Sequence, residues 1–215
     1  IIRFLETKEV KAIVIACNTA SALALETVKE ETDIPVIGVI TPGARSAVQA
    51  TKNGIIGVAG TEATIRSETY TKVIKEMKPD AVVIGKPCPL FVPLVEEGFA
   101  KHRITEEVIE IYLSDMRQTK IDTMILGCTH YPLIRSTVRK IVGEGVTLVN
   151  PAYETARELK ELLEKEGLLN EKPQGLGSNR YQFYVSDMAD KFQTFANSIL
   201  KYGILSAKTI NIESY

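Results

Sequence analysis

The chain has 215 residues, 45% hydrophobic and 25% charged, with Lys plus Arg at 26 against Asp plus Glu at 27. That composition fits a globular chain of one large domain or two small ones and excludes a disordered or fibrous one. A net charge of −1 excludes broad attraction to nucleic acid or an anionic membrane, and no apolar run approaches the ~20 residues of a membrane span.

The opening "IIRFLETKEV" sets apolar Ile1, Ile2 and Leu5 against polar Arg3, Glu6 and Lys8, the pattern of the end of an amphipathic helix. Short apolar runs then alternate with longer helical patterns. A strand at Lys11–Ala16 leads to a helix at Thr19–Glu31, and a strand at Pro35–Ile40 to a helix at Pro42–Lys52. A strand at Gly54–Ala59 precedes a single long helix at Glu62–Met77, and a strand follows at Ala81–Gly85. Next come a helix at Thr105–Thr119, a strand at Asp122–Leu126, a helix at Leu133–Val142, a strand at Val146–Val149 and a helix at Thr155–Glu166. The segment "EGLLNEKPQGLGSNR" reads as a surface loop. A strand at Tyr181–Val185, a helix at Asp187–Leu200 and a strand at Thr209–Ile212 complete the series. Helix-start signals stand in "NTAS", "TPGA", "GTEAT" and "YP". Repeated strand–helix alternation predicts an α/β fold with mainly parallel sheets flanked by helices.

Two Pro-marked crossings, "PVIGVITPG" and "LVNPAYETA", divide the chain. They predict two lobes, one from residues 1–40 and 150–215 and a second from residues 41–149.

Cys17, Cys88 and Cys128 are the three cysteines. They form no C-x-x-C and no disulfide framework, and the two histidines lack ligand spacing, so no metal site is expected. A reducing cytoplasm is the expected compartment. "AIVIACNTAS" and "DTMILGCTHYP" share one form: an apolar strand, a small residue, Cys, a polar pair, then a helix. Ligands gather at such carboxyl ends of parallel strands. The following helix start offers free N–H groups to an anion, and its dipole favours a thiolate. A single free cysteine is ordinarily a small buried hydrophobe, but two matched corners point to a functional pair. Asn18, Thr19, Thr129 and His130 add hydrogen-bonding groups beside the sulfurs, and His130 is placed to assist proton transfer at Cys128. Thr61 and Thr64, in "GVAGTEAT", stand where a strand–helix turn can face a polar ligand. Cys88, between prolines in "GKPCPLF", reads as packing, and His102 as a solvated surface residue. Two bases facing one substrate suit inversion of a stereocentre: one removes a proton and the other returns one on the opposite face.

"ACNTAS" and "LGCTHYPL" resemble the paired signatures of bacterial glutamate racemase, within the aspartate/glutamate racemase superfamily. "GVITPGARSA", "PLFVPLVEEG" and "YETARELKELL" extend the likeness from Lys11 nearly to the C-terminus. His130 separates the chain from aspartate-specific relatives, which more often carry an acidic residue there. The resemblance implies two α/β lobes with the site in the inter-lobe cleft. It implies Cys17 as the base for D-glutamate and Cys128 for L-glutamate, with His130 assisting Cys128. Asn18, Thr19, Thr129 and His130 would hold the substrate, Thr61 would add a contact, and Glu96 in "LVEEG" would support the chemistry. It further implies D-glutamate supply for peptidoglycan, no pyridoxal phosphate, metal or other cofactor, and a homodimer. The family's Asp-Ser-Gly strand end and Pro-Tyr-Gly loop, which precede the first cysteine, do not occur here. The chain as it stands is therefore expected to be a weak or inactive racemase. The alternatives are a racemase of aspartate or another small amino acid, and a two-lobed small-molecule binding protein with passive cysteines.

Overall fold

A computed structural model describes residues 1–170, 181–200 and 206–215. In chain order the elements are α1 (Ile2–Glu6), β1 (Ile13–Ile15), α2 (Asn18–Glu31), β2 (Val36–Gly38), α3 (Ile40–Ala50), β3 (Ile55–Gly60), α4 (Glu62–Arg66) and α5 (Thr69–Met77). They continue with β4 (Val82–Pro87), α6 (Phe91–Glu96), α7 (Arg103–Leu113), β5 (Thr123–Gly127), α8 (Arg135–Val142), β6 (Thr147–Val149) and α9 (Pro151–Lys165). The last are β7 (Phe183–Val185), α10 (Ala189–Ile199) and β8 (Ala207–Thr209). The chain packs as two compact units, Lys11–Gly167 and the combination of Ile1–Val10 with Leu168–Tyr215.

In the larger unit, β3 and β5 are continuous apolar runs because helices cover both faces of their sheet. That sheet runs β4-β3-β5-β6, all parallel, with Ile56 opposite Thr123 and Gly60 opposite Gly127. Ile40, Ala44, Ala47, Ile56, Val58, Tyr70, Ile74 and Ile125 belong to one buried cluster, where α3 and α5 lie over the sheet. A parallel pair, β1 with β2, matches Ile13 to Val36 and Ile15 to Gly38. Buried Ser21 ties its ends: the hydroxyl donates to Ile15 O at 2.8 Å and accepts Val39 N–H at 3.2 Å. In the smaller unit β7 and β8 are also parallel, and Phe4 packs edge-on to Tyr184 and Tyr215, with ring centroids 4.8 and 5.2 Å away.

The expected α/β fold of mainly parallel sheets flanked by helices is the observed one. Four local differences have physical causes. The helix expected at Glu62–Met77 breaks into α4 and α5, because the Ser67 hydroxyl bonds back to Thr64 O at 2.7 Å and accepts the N–H of Thr69, while Glu68 turns left-handed at φ 53°. α6 lies where no element is expected. Its Pro93 falls in the first turn, where the missing N–H is not needed. The stretch after Cys128 starts as a 3-10 turn at Tyr131–Ile134 before α8 begins. The last strand is shorter and earlier than Thr209–Ile212, because Asn211 accepts the N–H of Glu213 at 3.1 Å and caps a 3-10 turn over Ile212–Ser214. Part of the "EGLLNEKPQGLGSNR" loop, residues 171–180, lies outside the described residues.

Candidate active site

Every candidate site residue falls within the larger unit. Strand β1 delivers Cys17 to the N-cap of α2, with φ −93° and ψ 126°. The Cys17 side chain makes no capping bond, so an exposed sulfur stands at the positive end of a 14-residue helix. Strand β5 delivers Cys128 beside it, and Cys128 is buried. The step before Cys128 must be small: a Cβ on Gly127 would stand 2.9 Å from Ala59 O and 3.3 Å from the Tyr70 ring.

The two corners are joined directly. Thr129 donates its hydroxyl to Ala16 O at 2.9 Å, so the residue after one cysteine grips the residue before the other. Thr19, Thr61 and Thr64 close a triangle of hydroxyls, with oxygen separations of 2.8, 3.1 and 3.0 Å. Thr61 also caps α4, accepting Thr64 N–H at 3.2 Å. Asn18 is buried, and its Oδ1 accepts the Tyr70 hydroxyl at 2.7 Å. A cavity of about 370 Å³ is lined by Asn18, Cys128, Thr129, Asn150 and Thr155 among mainly apolar neighbours.

Behind Cys128 stand His130 and Glu96. His130 Nδ1 lies 4.0 Å from Cys128 Sγ, and His130 Nε2 lies 3.1 Å from Glu96 Oε1 at the end of α6. His130 thus sets one ring nitrogen toward the Glu96 carboxylate and the other toward the Cys128 sulfur. Burial pushes the Cys128 thiol above its ordinary value, and the nearby Cys17 adds to this, while the backbone N–H groups of His130, Tyr131 and Thr129 pull it back in part. The expectation of a favoured thiolate at this corner is thus corrected for Cys128: desolvation outweighs the N–H groups, which come from a turn and not from a full helix.

A family model for Asp/Glu/hydantoin racemase matches residues 1–159. The chain belongs to that family. Among its relatives, a glutamate racemase of Geobacter metallireducens is 45% identical over 92% of this chain and 72% of its own length. A glutamate racemase of Oceanobacillus iheyensis is 42% identical over 99% of this chain and 73% of its own. The crystal structure of a glutamate racemase isoform from Bacillus anthracis superimposes with a TM-score of 0.92 at 37% identity, covering 98% of this chain and 77% of that one. A Francisella tularensis glutamate racemase solved in complex with D-glutamate gives 0.90 at 38%, covering 100% and 78%. The enzyme class of this racemase-family chain is accordingly that of the glutamate racemases, which are isomerases.

The racemase fold brings Cys17, Asn18, Thr19, Thr61, Cys128 and Thr129 around one corner pair, and sets His130 and Glu96 behind Cys128. Cys88 is buried, with its thiol donating to Lys86 O at 3.5 Å. Burial lifts that thiol to about 12, with Lys86 opposing and Asp115 adding to the rise. His102 is the N-cap of α7, its Nδ1 accepting Ile104 N–H at 3.2 Å, a role beyond the solvated one expected. Sequence reasoning missed Tyr70 and Ser21. A tyrosine at helical core spacing carries no polar signal of its own, and Ser21 was visible only as one more small residue in "NTAS". No helix among the described residues is long and apolar enough to cross a membrane.

Proposed function

We propose that this chain interconverts L- and D-glutamate, with weak activity, by two-cysteine proton transfer without a cofactor. The observation that carries the reading is the Thr129–Ala16 bond of 2.9 Å, which holds the Cys17 and Cys128 corners together. Asn18, Thr19, Thr61 and Thr129 hold the substrate's carboxylates and amino group. Cys17 as thiolate takes the α-proton of D-glutamate, and the Cys128 thiol returns a proton on the other face. For L-glutamate the roles exchange, with His130, braced by Glu96, moving the Cys128 proton. Each turnover leaves the two thiols in exchanged protonation states, and protons balance. The same proposal includes the two-lobe division at residues 1–40 with 150–215 and 41–149, a cleft site between those lobes, homodimers, a cytoplasmic location and D-glutamate supply for peptidoglycan.

The test uses glutamate in deuterium oxide. Proton magnetic resonance should show deuterium entering the α-position as L-glutamate becomes D-glutamate. Because the enantiomers have equal free energy, kcat/KM for complete inversion is the same both ways in any variant. The two bases are therefore separated by wash-in. Cys17→Ser should exchange the α-proton of L-glutamate and not of D-glutamate, and Cys128→Ser the reverse. Folded protein that exchanges neither enantiomer, or single variants that exchange both alike, refute the assignment.

A further inference from the structure

We propose that Tyr70 is a positioning residue that sets the side-chain amide of Asn18 for glutamate, an inference that rests on reading Asn18 as a substrate contact. Tyr70 is 3% exposed and Asn18 5%, and the phenol donates to Asn18 Oδ1 at 2.7 Å. With Oδ1 engaged, the two hydrogens on Nδ2 are what the amide has left to offer, and donors suit a carboxylate. Flipping the amide would turn N–H against the phenol and leave the buried hydroxyl proton seeking another acceptor.

Two glycines leave room for the ring. A Cβ on Gly43 of α3 would lie 3.2 Å from the Tyr70 oxygen, and one on Gly127 would lie 3.3 Å from Tyr70 Cε2. The same ring therefore abuts the residue that precedes Cys128 while its oxygen holds the residue that follows Cys17. Burial, with the nearby Cys128 adding to it, keeps the phenol protonated and so a donor. Tyr70 registers the Asn18 amide against the Cys128 corner without touching the substrate itself.

The experiment is a double-mutant cycle on the 215-residue chain with Tyr70→Phe, Asn18→Ala and the pair, reading the dissociation constant for D-glutamate by titration. Tyr70→Phe should weaken binding about tenfold, and adding it to Asn18→Ala should weaken binding no further. The side-chain amide resonances of Asn18 supply a signature independent of binding: they should move to those of an unrestrained amide in Tyr70→Phe. Additive losses, unchanged affinity in Tyr70→Phe, unmoved Asn18 resonances, or a Tyr70→Phe chain that no longer folds would each overturn the proposal. Wild-type protein that binds no glutamate would refute the reading of Asn18, while the Asn18 resonances would still decide whether Tyr70 orders the amide.

Discussion

Cys128 carries two opposing demands. The proposed removal of a proton from L-glutamate needs its thiolate, yet burial holds the thiol above its ordinary value of 9.0. In the proposed reaction His130, 4.0 Å from the sulfur and 3.1 Å from Glu96, would reconcile them by taking the proton when substrate is present. In Cys17→Ser, Cys128 is the cysteine left to exchange the L-glutamate α-proton. With His130→Asn added, the residual exchange should still be rising with pH at 9.0, because no imidazole then takes the proton and burial holds the thiol up. His130→Asn in that background should cut the exchange roughly 100-fold, and Glu96→Gln by less, while exchange of D-glutamate in Cys128→Ser is spared. Rates measured by proton magnetic resonance across pH decide this, and a plateau below pH 9.0 in the double variant contradicts it. Gly127 is a steric demand at the same corner. Gly127→Ala forces a Cβ to within 2.9 Å of Ala59 O on the neighbouring strand, and should cost about 1–3 kcal/mol in chemical denaturation.

At the scale of elements, the turn at Ser67–Glu68 matters more than its size suggests. On a continuous helix Thr64 and Tyr70 would point roughly 120° apart. The break redirects the chain between them, and their hydroxyls reach consecutive residues of α2, Thr19 at 3.1 Å and Asn18 at 2.7 Å. Asp122 holds a second junction. Its carboxylate accepts from the Thr51 hydroxyl at 2.6 Å and from the N–H groups of Lys52 and Asn53 at 2.7 Å each, tying the α3–β3 loop to the start of β5. Burial alone would raise its pKa, but these bonds, with that from Thr123, outweigh it and hold the carboxyl below its ordinary 3.8. A depressed folded value contributes stability that is complete above the unfolded value and lost as pH falls through the folded one. Asp122→Asn should therefore lower stability by about 1–2 kcal/mol at neutral pH, and its difference from wild type should shrink below pH 3.8. Equal differences at pH 7 and pH 3 would refute this. Buried strands such as β3 and β5 were legible as apolar runs, and both cysteine corners as strand ends with polar followers. The Ser67–Glu68 break was hidden because both residues tolerate a helix and only a side-chain bond diverts the backbone. α6 was hidden by its Pro93 and by Pro87 and Pro89 just before it. Glu96 entered through resemblance, because its contact with His130 is tertiary and has no sequence period. Tyr70 was hidden for the opposite reason, since its position has the period of a core residue and its hydroxyl acts through a partner far away in the chain.

At the scale of the whole molecule, the two units differ in what they bury. β5 is buried at every position, and β3 at every position but its first. Both are interior strands, because β4 and β6 take the edges. Among the described residues of the smaller unit, Phe4 and Ala196 are the buried ones, and β7 and β8 have three residues each. Apolar burial and internal hydrogen bonding set the free energy of local opening. Amide hydrogen exchange should therefore fall into two tiers. Protection should be greatest at Ile56–Ala59 and Met124–Leu126, approaching the global unfolding free energy. Protection at Tyr184, Val185 and Ile210 should be far weaker, although Ile210 N–H reaches Val185 O at 2.8 Å, because few apolar contacts resist opening there. The Cys128 corner stands on the well-protected tier through β5, so that cysteine and His130 after it adjoin the part of the chain expected to open least. Exchange measured residue by residue would settle the matter, and uniform protection across both units would show that burial does not partition the chain in this way.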